Sequence, residues 1–129
     1  MGQSYNDPMN PQTPRPTEIT LHQQSRVLEV AFDDGKRYNL PCEYLRSFSP
    51  SAEVRGHGPG QEVLQSGKRE VGIRAVEPVG VYAVKLVFSD GHDTGIFSWD
   101  YLRELGEGYQ ANWQTYLSRL AAAGKERDA

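Results

Sequence analysis

The side chains that could carry acid–base, nucleophilic or metal chemistry in this 129-residue chain are few and far apart. They are one cysteine, Cys42, three histidines, His22, His57 and His92, and two acidic pairs, Asp33/Asp34 and Asp90/Asp93. A nucleophile needs a base that is itself oriented by a second group. Cys42 could serve as nucleophile with His57 or His92 as base, but no recognisable motif surrounds any of the three. One thiol makes neither an internal disulfide nor a multi-cysteine zinc or iron–sulfur site within one chain, so Cys42 reads as a small buried hydrophobe. Both acidic pairs lie at Asp-Gly turns, where Asp is explained by turn chemistry.

Gly56-His57-Gly58-Pro59-Gly60 is the most unusual segment. Repeated glycines expose backbone N–H groups that can cradle an anion, but a phosphate loop ends in Gly-Lys-Ser/Thr. Here Pro59 removes one donor and no lysine follows. Two readings stay open, a mobile loop and a contact loop with His57 at its tip. Arg46, Arg55, Lys68, Arg69 and Arg74 give the middle of the chain a mild positive excess, interleaved with Glu53, Glu62 and Glu70.

The elements that must position these groups follow from the hydrophobic pattern. Pro8, Pro11, Pro14 and Pro16, set among polar residues, predict a disordered arm over residues 1–16. Period-two alternation begins at Thr17 and predicts strands around Ile19–Leu21 and Leu28–Phe32. Asp34-Gly35 then turns the chain into a third strand through Tyr38 and Leu40. The same grammar returns at Tyr82–Phe88, Ser89-Asp90-Gly91 and Thr94–Phe97, an offset of 56 residues between Phe32 and Phe88. Each hairpin runs into Tyr-Leu-Arg, at 44–46 and again at 101–103. Val71–Val76 is a further strand candidate turned back by Glu77–Gly80, and Glu62–Leu64 a short one. Tyr109, Trp113, Tyr116, Leu117 and Leu120 form one apolar stripe at helical period. It predicts a closing helix that lids the sheet, with a frayed tail over 124–129.

The expected fold is therefore α+β, a small antiparallel sheet built from two Asp-Gly hairpins, with short helices and a C-terminal amphipathic helix. Hydrophobic residues make up 37% of the chain, enough for one core. The net charge of −3 gives no pull toward nucleic acid or anionic membrane. The apolar runs are far too short to span a bilayer. No basic-then-apolar start reads as a secretory signal, so the expected location is cytoplasmic.

Residues 49–60 (SPSAEVRGHGPG), 77–84 (EPVGVYAV) and 88–102 (FSDGHDTGIFSWDYL) together resemble the signature segments of the gamma-butyrobetaine-hydroxylase-like N-terminal domain, also catalogued as DUF971. The resemblance runs from about Pro16 to Leu120 and implies a small α+β domain over residues 17–123. In the carnitine-pathway dioxygenases a similar domain precedes the catalytic jelly roll, holds a structural zinc through three cysteines and a histidine, and contributes to dimer contacts. A related domain is fused to Mrp-type iron–sulfur carrier ATPases. Here Ser49, Ser51 and Val54 align with the three cysteines and only His92 matches, so the resemblance implies no zinc at that site. The iron motif of the hydroxylases, His-x-Asp/Glu, is also missing: Gln24, Pro59 and Thr94 stand two positions after the three histidines.

The resulting expectation is a non-catalytic interaction module that needs no cofactor. Its surface is formed by Arg55, Gly56, His57, Gly58 and Gly60 together with Asp90 and His92. An Mrp-type iron–sulfur carrier ATPase is its partner by fusion analogy. The alternative is a metal-binding accessory protein holding iron or zinc through His92 and His57, with or without Cys42.

Overall fold

A computed structural model describes residues 14–56 and 60–128. Most of the expected N-terminal arm, and His57, Gly58 and Pro59, lie outside the described residues. The order is β1 (Pro16–His22), β2 (Val27–Phe32), β3 (Arg37–Pro41), α1 (Cys42–Ser47), α2 (Ala52–Arg55), β4 (Ile73–Val79), β5 (Ala83–Phe88), β6 (Ile96–Ser98), α3 (Trp99–Glu107) and α4 (Tyr109–Ala122). The α+β class holds, with one refinement: the strands form two three-stranded antiparallel sheets, β1-β2-β3 and β4-β5-β6, rather than one. The central strands β2 and β5 carry the most apolar sequences and are the most buried.

Both Asp-Gly turns have the same backbone bonding. The Gly35 N–H donates to the Phe32 carbonyl and the Phe32 N–H to that of Lys36. The Gly91 N–H donates to the Phe88 carbonyl and the Phe88 N–H to that of His92. The two glycines take φ of 89° and 92°, the left-handed step that this turn requires.

The two units then exchange contacts reciprocally. Tyr44 of the first Tyr-Leu-Arg donates its hydroxyl to the Leu105 carbonyl (2.7 Å), and Tyr101 of the second donates to the Phe48 carbonyl (2.6 Å). Each acceptor lies four residues after the tyrosine of the opposite unit. The arginines do likewise. Arg103 forks onto Asp34 of the first turn (3.1 and 2.8 Å), and Arg46 reaches Asp90 of the second (2.9 Å). The internal repeat thus packs as a self-complementary pair, the logic of an isologous dimer interface within one chain.

Between the sheets and helices lies one core of Leu28, Val30, Leu40, Tyr44, Leu45, Ile73, Leu86, Phe88, Phe97, Leu102 and Leu105. The α4 stripe closes it as a lid. Tyr116 and Leu120 are buried, and Tyr109 and Trp113 set their rings 4.8 and 6.2 Å from that of Tyr44.

Several expected boundaries move. Strand β4 continues through Pro78 to Val79 and the turn follows at Gly80–Tyr82. As an edge strand paired only to β5, β4 tolerates a residue without an N–H. Residues 62–64 form no strand and belong to neither sheet. Pro16 opens β1 instead of ending the arm. The tail is corrected too. The Glu126 and Arg127 carbonyls accept from the Gly67 and Arg69 N–H groups, and Arg127 forks onto the buried Glu43 (2.8 and 2.7 Å). That ion pair, with Arg127 over the Trp113 ring, holds residues 125–128 against the fold.

Candidate functional site

The repeat breaks its symmetry at one place. In the first unit the chain after the turn continues directly into β3. In the second, three residues after His92, Asp93–Gly95, stand outside the strands before β6 begins, and the His92 side chain turns inward to 7% exposure. Opposite it, the chain leaving α1 supplies Ser49 and then Ser51, whose hydroxyl caps α2 by accepting from the Glu53 N–H (3.1 Å).

His92 is held at both ring nitrogens. Nδ1 lies 3.0 Å from a Glu53 carboxylate oxygen and Nε2 lies 2.9 Å from Ser49 Oγ. The carboxylate accepts only, which places the ring proton on Nδ1 and leaves Nε2 to accept from the Ser49 hydroxyl. Ser51 Oγ pairs with Thr94 Oγ1 at 2.7 Å. Gly95 permits the close approach: a β-carbon there would stand 2.2 Å from Ser49 Oγ. Beside this cluster Asp90 accepts from Arg46 (2.9 Å), Lys68 (3.0 Å) and the His92 N–H (3.2 Å).

The electrostatics follow from burial. Burial alone would raise the Asp90 carboxyl, but Lys68, the His92 N–H and Arg46 overcome it and hold the group at about 2. Burial, reinforced by the nearby Arg46 charge, lowers the His92 pKa, and the exposed Glu53 carboxylate only partly offsets them. Neutral imidazole is therefore the native form. Because the unfolded chain takes up the proton first, stability falls as pH drops below the ordinary histidine value of 6.5 and toward the depressed native one. Thermal melts between pH 7.5 and 5 should show a decline that His92→Gln removes. An equal decline in wild type and variant would contradict the neutral, buried assignment.

Ser49, His92 and Glu53 stand in the order of a serine-hydrolase triad. Ser49 is only 1% exposed, its Oγ is pressed against Gly95, and Ser51 donates its backbone N–H to that same oxygen (3.3 Å). These bonds fasten the loop after α1 to the second hairpin. The zinc test gives a similar answer. Ser49 and His92, two aligned ligand positions, do meet. However, two neutral hydroxyls and the Val54 side chain are not zinc donors, and His92 Nε2 is already occupied. This set does not fit the metal.

Of the expected site residues, Asp90 and His92 are joined directly, Arg55 and Gly56 follow His92's partner Glu53 at the end of α2, and Gly60 is exposed in a turn. Cys42 does not join them, which corrects its place in the proposed ligand set. It opens α1, whereas Ser49 follows the end of that helix, roughly 10 Å away at 1.5 Å per residue. Burial pushes its thiol up to about 11, an inert state. Among the described residues no three His, Cys, Asp or Glu side chains are grouped to hold a metal. Sequence reasoning missed Glu53, Arg46 and Lys68 as partners of the second turn. The duplicated Tyr-Leu-Arg was the available signal for Arg46, while nothing local marks the other two.

Next to the cluster, residues of α1, α2, the 62–65 segment, α3 and α4 line a cleft of about 620 Å³. Arg55 sits at its edge with its guanidinium 4.9 Å over the Tyr101 ring.

The sequence profile of the gamma-butyrobetaine hydroxylase-like, N-terminal family matches residues 19–103. Among curated proteins, a biotin synthase from Bacillus cytotoxicus is 31% identical over 81 residues, 63% of this chain, and one from Bacillus thuringiensis is 31% identical over 80 residues. The chain spans about a fifth of the length of these relatives. Among solved structures, one NMR solution structure is 51% identical with a TM-score of 0.79, covering 90% of this chain and 91% of the other. A crystal structure from Acidithiobacillus ferrooxidans, described as a DUF971 protein with unknown function, is 44% identical with a TM-score of 0.61, covering 71% and 92%. No helix among the described residues is long and apolar enough to cross a membrane.

Proposed function

The chain belongs to the gamma-butyrobetaine hydroxylase-like N-terminal family, and from that premise we propose that it works as a non-catalytic recognition module. It docks through the loop after α1 and the second Asp-Gly turn. One observation carries the reading. The groups that sequence offered for chemistry at this site are spent on fastening these two segments to each other. His92 is bonded at both nitrogens, and Asp90 is held by Arg46 and Lys68. What remains outward-facing is a preorganised surface, with Glu53, Arg55 and Asp93 exposed on it. Rigid segments lose little entropy on binding. Similarity to only a fifth of proteins named biotin synthase is in keeping with a portable module.

The partner class is the one that the resemblance implies, an Mrp-type iron–sulfur carrier ATPase. Titrating the ¹⁵N-labelled chain with purified carrier should shift amides of residues 49–56 and 89–94, and Asp93→Lys should weaken the response. Shifts confined to other surfaces, or none, would overturn the assignment.

A further inference from the structure

The cleft beside the clamp has a composition of its own. Its walls include Phe48, Tyr101 and Tyr116, its floor includes Ser47, and its rim carries Arg55 and Arg119. Its volume of about 620 Å³ is within the range of small-molecule sites, roughly 300–1,000 Å³.

Two features separate it from ordinary surface relief. The first is charge. Among the described residues, ion pairs engage Arg26, Arg37, Arg46, Arg69, Arg103 and Arg127. Neither arginine of the cleft is in such a pair, and Glu62 is the one carboxylate among the described lining residues. The Arg55 guanidinium lies over the Tyr101 ring and also acts on its hydroxyl, and its other N–H donors meet no carboxylate among the described residues. The second is an aromatic wall whose own hydroxyls are satisfied elsewhere. Tyr101 and Tyr116 direct their own hydroxyls onto the Phe48 and Gln65 carbonyls (2.6 and 2.8 Å), which leaves their rings as apolar wall.

We propose that this cleft binds a small monocarboxylate with a flat apolar body, its body against the aromatic wall and its carboxylate at the Arg55–Arg119 rim. This goes beyond the docking reading and does not depend on it, because the probe below involves no protein partner. Arg55 is shared by the two surfaces, so its variant is read only against the small probe.

The probe is 3-phenylpropionate, titrated into the ¹⁵N-labelled full chain, with 3-phenylpropanamide as its uncharged counterpart. Saturable shifts at Phe48, Val54, Leu64 and Tyr116 are expected, with a Kd on the order of 1 mM for a ligand of this size. The amide should bind about fivefold more weakly, the range of an exposed charge interaction. Arg55→Gln combined with Arg119→Gln should erase the difference between acid and amide without disturbing the rest of the spectrum. Equal binding of acid and amide, or shifts mapping outside the cleft, would each overturn the proposal.

Discussion

Tyr44→Ala is expected to be the most damaging single substitution in this chain, lowering stability by about 3–5 kcal/mol as large buried aromatics do. Tyr44 is fully buried, and its ring contacts Phe48, Tyr109 and Trp113. Burial pushes its hydroxyl up to about 12, so it stays protonated at any working pH. That hydroxyl donates to the Leu105 carbonyl and accepts from Asn112 at 3.0 Å, tying α1 to both C-terminal helices. Tyr44→Phe isolates the polar share. It leaves a buried carbonyl and an amide without their partner, at about 1–3 kcal/mol. Urea denaturation should rank wild type, Tyr44→Phe and Tyr44→Ala in that order. If Tyr44→Phe cost nothing, the cross-unit hydroxyl bond would not be a determinant of the fold.

Asp90→Asn is expected to cost about 2–4 kcal/mol. The Arg46 side chain is 9% exposed, and losing its carboxylate leaves a buried guanidinium with only Gln65 as a side-chain partner. The acid limb of the stability profile gives a second, independent readout. With its pKa held down from 3.8 to about 2, Asp90 contributes stability that is complete above about 4 and is lost as pH falls toward 2. The depression corresponds to roughly 2 kcal/mol. The wild type should lose that increment between pH 4 and 2 and the variant should not. Asp34→Asn removes the equivalent pair on the exposed side of the repeat, and its effect should be clearly the smaller. Equal effects at Asp34 and Asp90 would mean that burial of Arg46 adds nothing.

The contrast between these aspartates shows where local sequence stops being informative. Asp-Gly at 34–35 and 90–91 fixes two turns, because a left-handed glycine is a property of a few residues. The alternation in Leu28–Phe32 and the stripe from Tyr109 to Leu120 likewise mark their buried faces, since side-chain direction follows the period of the backbone. The resemblance located Ser49, Ser51 and His92 as corresponding positions, though not what the serines would do there.

Thus the sequence by itself determined the two hairpins, the repeat that relates them, the closing helix and the poverty of reactive groups, since each is written within a short window. Only the tertiary structure decided that each Tyr-Leu-Arg reaches into the opposite unit, that His92 faces inward between Ser49 and Glu53, and that the tail returns to Glu43. Those contacts join residues 39 to 84 positions apart, and their selection depends on how two units bury one shared core, a property that no segment carries alone.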